Sequence, residues 1–178
     1  MPRIITAPVA QATGAAADLF SRIKQAVGGV PNTYAAIGAL QPAALESILN
    51  ADAVLAASSL SKKETETIKL VVSIATGCDY CIGAHSAIAK VAGLSEDVVK
   101  QLRLGLPTGD AKRDALAAFV RTLASTSGTI SAEQFATIKE AGYSDQQLVE
   151  ISLAIAIGIF TNMFNRINDT DLDFPKIR

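Results

Sequence analysis

Tryptophan is absent from this chain, histidine occurs once, cysteine twice, and only 5% of the residues are aromatic. Two cysteines in 178 residues exclude a small fold stapled by a disulfide framework. With so few rings, the apolar content is small and aliphatic, which suits close helix–helix packing. An excess of charge of one sign is also missing: 16 Lys and Arg stand against 17 Asp and Glu, for a net charge of −1 and a pI near 5.8. There is no basic run and no basic stripe interleaved with aromatics, so nucleic acid is not an expected partner. Long apolar runs are lacking as well. The longest, Ile151 to Phe160 (ISLAIAIGIF), follows Glu150 and is too short to cross a bilayer. The opening MPRIITAPVAQATG has no charged segment leading into an apolar core and cleavage site. The expectation is a soluble, cytoplasmic protein without a membrane partner. In that setting one Cys-x-x-Cys stands for redox or metal chemistry rather than a structural staple.

What the sequence does hold is concentrated in Glu66 to His85, ETIKLVVSIATGCDYCIGAH. Cys78, Cys81 and His85, both cysteines and the one histidine, fall within eight positions. On a continuous helix they would share one stripe at i, i+3 and i+7. Gly77 can end the preceding helix, so that Glu66 folds back to face the sulfur and imidazole stripe. A thiol is a weak nucleophile until ionised. The positive end of a helix dipole would act mainly on Cys78, whereas His85, one turn past Cys81, would take the proton of Cys81. These two effects nominate different cysteines. Zinc bound by Cys78, Cys81, His85 and Glu66 is the weaker reading, since no second Cys/His pair accompanies them.

The flanking chain reads as helices throughout, and the fold class is all-α. Residues 1–11 form an extended lead-in with Pro2 and Pro8. Helices are expected over about 13–27, 33–40 and 42–57, the last opened by Pro42. Ser61-Lys-Lys-Glu64 is a capping box that starts the helix of Glu66. A helix over 79–91 stops at Gly93, and Ser95 caps a short one ending near Pro107. The remaining helices cover 110–125, 132–141 and 145–167, with capping boxes at Ser131 and Ser144. The chain is expected to be a single domain over 1–178, in which an active unit (about 42–107) is followed by a thiol-lacking copy (about 110–170). A shift of 84 positions carries Glu66 onto Glu150, Cys78 onto Asn162, Tyr80 onto Phe164 and Cys81 onto Asn165. In that second unit Asn162, Asn165 and Arg166 are expected to bond helix ends or neighbouring subunits.

The order glutamate, Cys-x-x-Cys twelve residues on, and histidine four residues after the second cysteine resembles the alkylhydroperoxidase D-like (AhpD-like) proteins of the carboxymuconolactone decarboxylase superfamily. Glu66, Cys78, Cys81 and His85 match residue by residue, and Leu60-Ser61, GCDYC and AKVAGL (Ala89 to Leu94) agree in the flanks. The GGVPN turn and the helix begun by Pro42 resemble the front end of the longer, peroxidase-related members. The resemblance implies an AhpD-like helical bundle that reduces small organic hydroperoxides. It assigns Cys81 as the peroxidatic and Cys78 as the resolving cysteine, with His85 as general acid/base and Glu66 as its proton relay. No cofactor or metal is implied beyond the redox-active disulfide, which needs an external dithiol, thioredoxin-like or lipoyl reductant. Tyr80 stands where the best-characterised peroxidase members have histidine. It would either donate a hydrogen bond to a peroxide oxygen or pack as an aromatic wall. The resemblance, and a mean hydropathy of +0.31, point to a homo-oligomer: dimer, trimer or hexamer. Two other functions fit the residues, a thiol–disulfide oxidoreductase or redox sensor, and an assembly module with a vestigial motif.

Overall fold

In the computed structural model, which describes residues 1–174, the described chain is helical with no strand. Nine α-helices follow one another: α1 (Gly14–Val27), α2 (Asn32–Leu40), α3 (Pro42–Ala56), α4 (Lys62–Thr76), α5 (Asp79–Val91), α6 (Glu96–Leu104), α7 (Ala111–Thr126), α8 (Ala132–Glu140) and α9 (Asp145–Asn168). The 1–11 lead-in, expected to be extended, bends at Arg3 and Ile4 and ends in a short 3-10 turn at Val9–Gln11. The three expected capping boxes form. The Ser61, Ser131 and Ser144 side chains each accept from the third backbone N–H of their helix, and Glu64, Gln134 and Gln147 answer at the cap. Each such exchange satisfies two donors that a helix start otherwise leaves open.

Helix α4 is the centre of the bundle. From Glu66 to Ser73 every residue but Lys69 is buried, because α5, α7 and α9 all pack against it. Its Ile68, Leu70, Val71 and Val72 join Leu116 and Val120 of α7 and Ile151, Ala154 and Ile155 of α9 in the main core. A second cluster gathers Leu19, Phe20 and Ile23 of α1, Ile37 of α2 and Leu45 and Ile48 of α3, and leans on Ile157 and Phe164 of α9. The third is small: Cys78, Tyr80, Cys81 and Ala84, closed over by Phe174. Helix α9 therefore touches the walls of the first two clusters.

Two expectations need correction. The apolar run Ile151 to Phe160 belongs to a helix of 24 residues, and by length and composition α9 would suffice for a membrane span. Its inward face nevertheless carries the buried asparagines Asn162, Asn165 and Asn168, and it packs on α3, α4 and α5. Cys78 is not on a helical stripe with Cys81 and His85. It is the extended N-cap residue of α5 (φ −94°, ψ 96°), so its sulfur serves as the cap.

Beyond Asp169, whose left-handed backbone ends α9, the chain turns back over α5. Asp173 accepts from the Asn32 N–H at the start of α2 (2.8 Å), and Asn32 Nδ2 donates to the Asp171 carbonyl (2.9 Å). Leu172 lies so close over Gly83 of α5 that a Cβ there would come within 2.8 Å of Leu172 Cδ1. Gly83 is thus where the active helix admits the C-terminal segment.

Candidate active site

The site is built at the α4–α5 corner. Gly77 takes the left-handed conformation (φ 64°, ψ 39°) that ends α4, which glycine adopts without steric cost. The Gly77 and Cys78 N–H groups close back onto the carbonyls of Ile74 (3.1 Å) and Ser73 (3.0 Å). The chain then restarts at once as α5, which runs back along α4. This reversal sets His85 against Glu66: His85 Nδ1 lies 3.0 Å from Glu66 Oε2, with the side chains 16% and 11% exposed. So sheltered a pair holds its geometry and is weakly screened by solvent.

Cys78 and Cys81 are joined as a disulfide, with their Cα atoms 5.3 Å apart. Both are buried. The Cys78 sulfur also accepts from the Cys81 backbone N–H at 3.3 Å, as an N-cap side chain does. His85 stands one turn beyond Cys81 on the same helix face. Among the described residues no three histidine, cysteine, aspartate or glutamate side chains gather as metal ligands do.

Side chains from far along the chain gather at the disulfide. Asn165 of α9, a buried side chain, directs Nδ2 at the Cys81 sulfur (3.3 Å). Its Oδ1 accepts from the Thr33 hydroxyl of α2 (2.8 Å). The Thr33 N–H in turn reaches the Tyr80 hydroxyl at 3.4 Å, and Tyr80 donates to Asp173 Oδ1 at 2.7 Å. The Tyr80 ring meets Phe174 edge-on, with centroids 5.7 Å apart. Burial pushes the Tyr80 phenol above its ordinary value, and Asp173 adds to that against the opposing pull of Thr33. Tyr80 is here a wall residue whose proton is committed to the C-terminal segment.

Asn162 and Arg166 do what the sequence suggests and bond a helix end: Asn162 Nδ2 donates to Thr76 Oγ1 (2.9 Å), and an Arg166 guanidinium N–H donates to the Thr76 carbonyl. Asn165 departs from that expectation and bonds the Cys81 sulfur and the Thr33 hydroxyl. The one signal for it is the internal similarity, because Cys81 and Asn165 are the positions that the 84-residue shift aligns, and they meet in space. A further polar group escapes sequence reasoning altogether. Lys69, one turn past Glu66, pairs with Asp52 of α3 at 2.7 Å, and the Tyr34 hydroxyl donates to the same carboxylate at 3.1 Å. Burial foremost, then Asp52, raises the Tyr34 phenol above its ordinary value.

A surface cleft of about 760 Å³ reaches this corner, lined among others by Cys78, Tyr80, Asn165, Ile159, Met163 and Arg166. Cys78 and Asn165 form part of its wall; Cys81 does not.

With that arrangement in view, residues 42–121, which include all of α4 and α5, match the carboxymuconolactone decarboxylase family. The fold as a whole is AhpD-like. Its fold is similar to the AhpD-core, peroxidase-related protein from Ralstonia eutropha JMP134 (TM-score 0.84, 20% identity, 97% of this chain and 92% of that one). It is similar also to a peroxidase-related protein from Silicibacter sp. TM1040 (TM-score 0.79, 22% identity, 96% and 93%). A third likeness is to the debrominase Bmp8, seen as a cysteine-to-alanine variant with 2,3,4-tribromopyrrole (TM-score 0.75, 21% identity, 88% and 84%). At these identities the likeness establishes the AhpD-like fold. No curated protein is a significant match to the chain.

Proposed function

We propose that this AhpD-like protein is a cysteine-dependent peroxidase that reduces small organic hydroperoxides. The observation that carries the reading is the pairing of a Cys78–Cys81 disulfide with a sheltered Glu66–His85 pair one turn further along α5. In the reduced protein the Cys81 thiolate attacks the terminal oxygen of ROOH. The O–O bond breaks, Cys81 becomes a sulfenic acid, and ROH leaves with a proton from His85. Glu66 holds the His85 Nδ1 side and orients the imidazole, leaving the other nitrogen for proton transfer. The Cys78 sulfur then displaces hydroxide from the sulfenic acid, forming the disulfide and water. An external dithiol of the thioredoxin-like or lipoyl class reduces it again. No metal or organic cofactor enters the scheme, and neither nucleic acid nor membrane is a partner in it.

The experiment is turnover of cumene hydroperoxide by the full chain with dithiothreitol as reductant. Peroxide consumption that disappears in both Cys78→Ser and Cys81→Ser supports the reading. Exchange with protein disulfides, without peroxide consumption, would replace it by a thiol–disulfide oxidoreductase or redox sensor. The cleft wall at Cys78 gives that second reading its own footing. The peroxidase is read as a cytoplasmic homo-oligomer. An exposed apolar stripe along α9, Val149, Phe160, Met163 and Ile167, supports self-association.

A further inference from the structure

The two halves of the disulfide stand in different surroundings. Cys81 receives the Asn165 amide N–H at 3.3 Å. The amide is locked in that sense, because its oxygen is taken by the Thr33 hydroxyl at 2.8 Å. A disulfide sulfur has no proton to give, so only the NH₂ end of the amide can bond to it. Cys78 receives only the Cys81 backbone N–H, at 3.3 Å, and no side-chain donor among the described residues, but it is part of the cleft wall, where Cys81 is not. We propose that Asn165 fixes the direction in which the disulfide opens: an incoming thiolate attacks Cys78, and Cys81 leaves as a thiolate held by the Asn165 amide.

The physical basis is the rule for thiol–disulfide exchange, in which the sulfur that leaves is the one whose thiolate is better stabilised. A hydrogen bond to the charged form lowers a pKa, and a donor bonds an anionic sulfur more strongly than a neutral one. The attacking thiolate of a dithiol forms a sulfur–sulfur bond to Cys78 as the Cys78–Cys81 bond breaks, and that bond's electron pair passes to Cys81. The reductant's second thiol, once deprotonated, attacks its own first sulfur in the mixed disulfide. The reductant leaves as a cyclic disulfide, and its two protons end on the two cysteines. Asn165 is thereby a catalytic residue, in contact with a reacting sulfur. In the reduced protein the same contact favours the Cys81 thiolate, the cysteine that base proximity also nominates. This inference rests on the redox reading of the site but on no particular oxidant.

The test uses the oxidised full-length protein and a monothiol, glutathione, so that the mixed disulfide accumulates. After alkylation by iodoacetamide, peptide mass spectrometry locates the adduct. Glutathione on Cys78 with alkylated Cys81 is expected; glutathione chiefly on Cys81 overturns the proposal. In the reduced protein the pH profile of alkylation is read for each cysteine. Asn165→Ala should slow disulfide opening about tenfold and move the Cys81 profile up by about one pH unit, with Cys78 little changed. Thr33→Val keeps the amide but frees it to turn, and should give a smaller shift of the same sign. The other charged and titratable groups of the site, His85 and Asp79 on α5, Glu66, Tyr80, Arg166, Asp169 and Asp173, are the same in all three proteins. An unshifted Cys81 profile in both variants refutes the role of Asn165. No hydroperoxide is present, so a protein that shows the Cys78 adduct but no peroxide turnover refutes the peroxidase and leaves this inference standing.

Discussion

At the scale of single residues, the site divides into what local sequence can announce and what it cannot. Glu66, Cys81 and His85 lie on two consecutive helices and Cys78 caps the second just after the glycine between them, so their meeting follows from short-range rules of helix termination and reversal. The Glu66–His85 contact is the clearest case. Asn165 and Asp173 reach the same corner only because α9 and the segment after it are packed there by the whole fold. No periodicity around residue 165 distinguishes it from Asn162, three residues away, which bonds a helix end instead. With one imidazole in the chain, loss of general acid/base catalysis has a simple signature. His85→Ala should lower the rate of reaction with cumene hydroperoxide by about 10²-fold, with far-ultraviolet circular dichroism unchanged. A variant reacting at the wild-type rate across pH 6–8 would remove His85 from the mechanism. Asp52 offers a test of the neighbouring polar group. Asp52→Ala strands a Lys69 ammonium that is 13% exposed and should cost about 2 kcal/mol of unfolding free energy in urea. A loss below about 0.5 kcal/mol would show the pair to be solvent-screened.

At the scale of helices, starts and stops were the most legible feature, because capping is written in four consecutive residues. Ser61, Ser131 and Ser144 cap as their spacing requires. What spacing misjudged was Cys78, whose position after a left-handed glycine makes it a cap rather than a helical residue. The cap of α4 also has a pH dependence. Burial works to raise the Glu64 carboxyl, but its hydrogen bonds from the Ser61 hydroxyl and N–H, with Lys112 nearby, outweigh that and hold it below the ordinary 4.5. Its stabilisation is therefore fully present above that value and is lost as the pH falls through the lower, folded one. Glu64→Ala should cost about 1 kcal/mol at pH 7 by chemical denaturation, with the difference from wild type shrinking below about pH 4. A difference independent of pH would show that the carboxylate charge plays no part. The segment after α9 invites a second test. Asp173 ties it to both Tyr80 and Asn32, and Phe174 packs on the cluster that holds the disulfide. Asp173→Ala should speed reduction of the disulfide by tris(2-carboxyethyl)phosphine severalfold, and an unchanged rate would show that this tie does not govern access.

At the scale of the molecule, the all-α class follows from aliphatic composition and 3.6-residue periodicity. The packing order, with α4 at the centre and α9 against two clusters, depends on contacts far apart in sequence. Val149 of α9 is 70% exposed and Ile167 58%, and these two, with Phe160 and Met163, share one face of the helix. Phe160→Glu should lower the molar mass seen by light scattering to that of the single 18.5 kDa chain. A mass equal to that of an oligomeric wild type would place the interface elsewhere.

The most direct test of the peroxidase assignment is to stop the cycle after its first chemical step. Cys78→Ser protein is treated with one equivalent of cumene hydroperoxide in the presence of dimedone, and the adduct is located by mass spectrometry. The account predicts a sulfenic acid trapped at Cys81, formed as fast as peroxide is lost. A Cys81 thiol that survives the oxidant unchanged would contradict it.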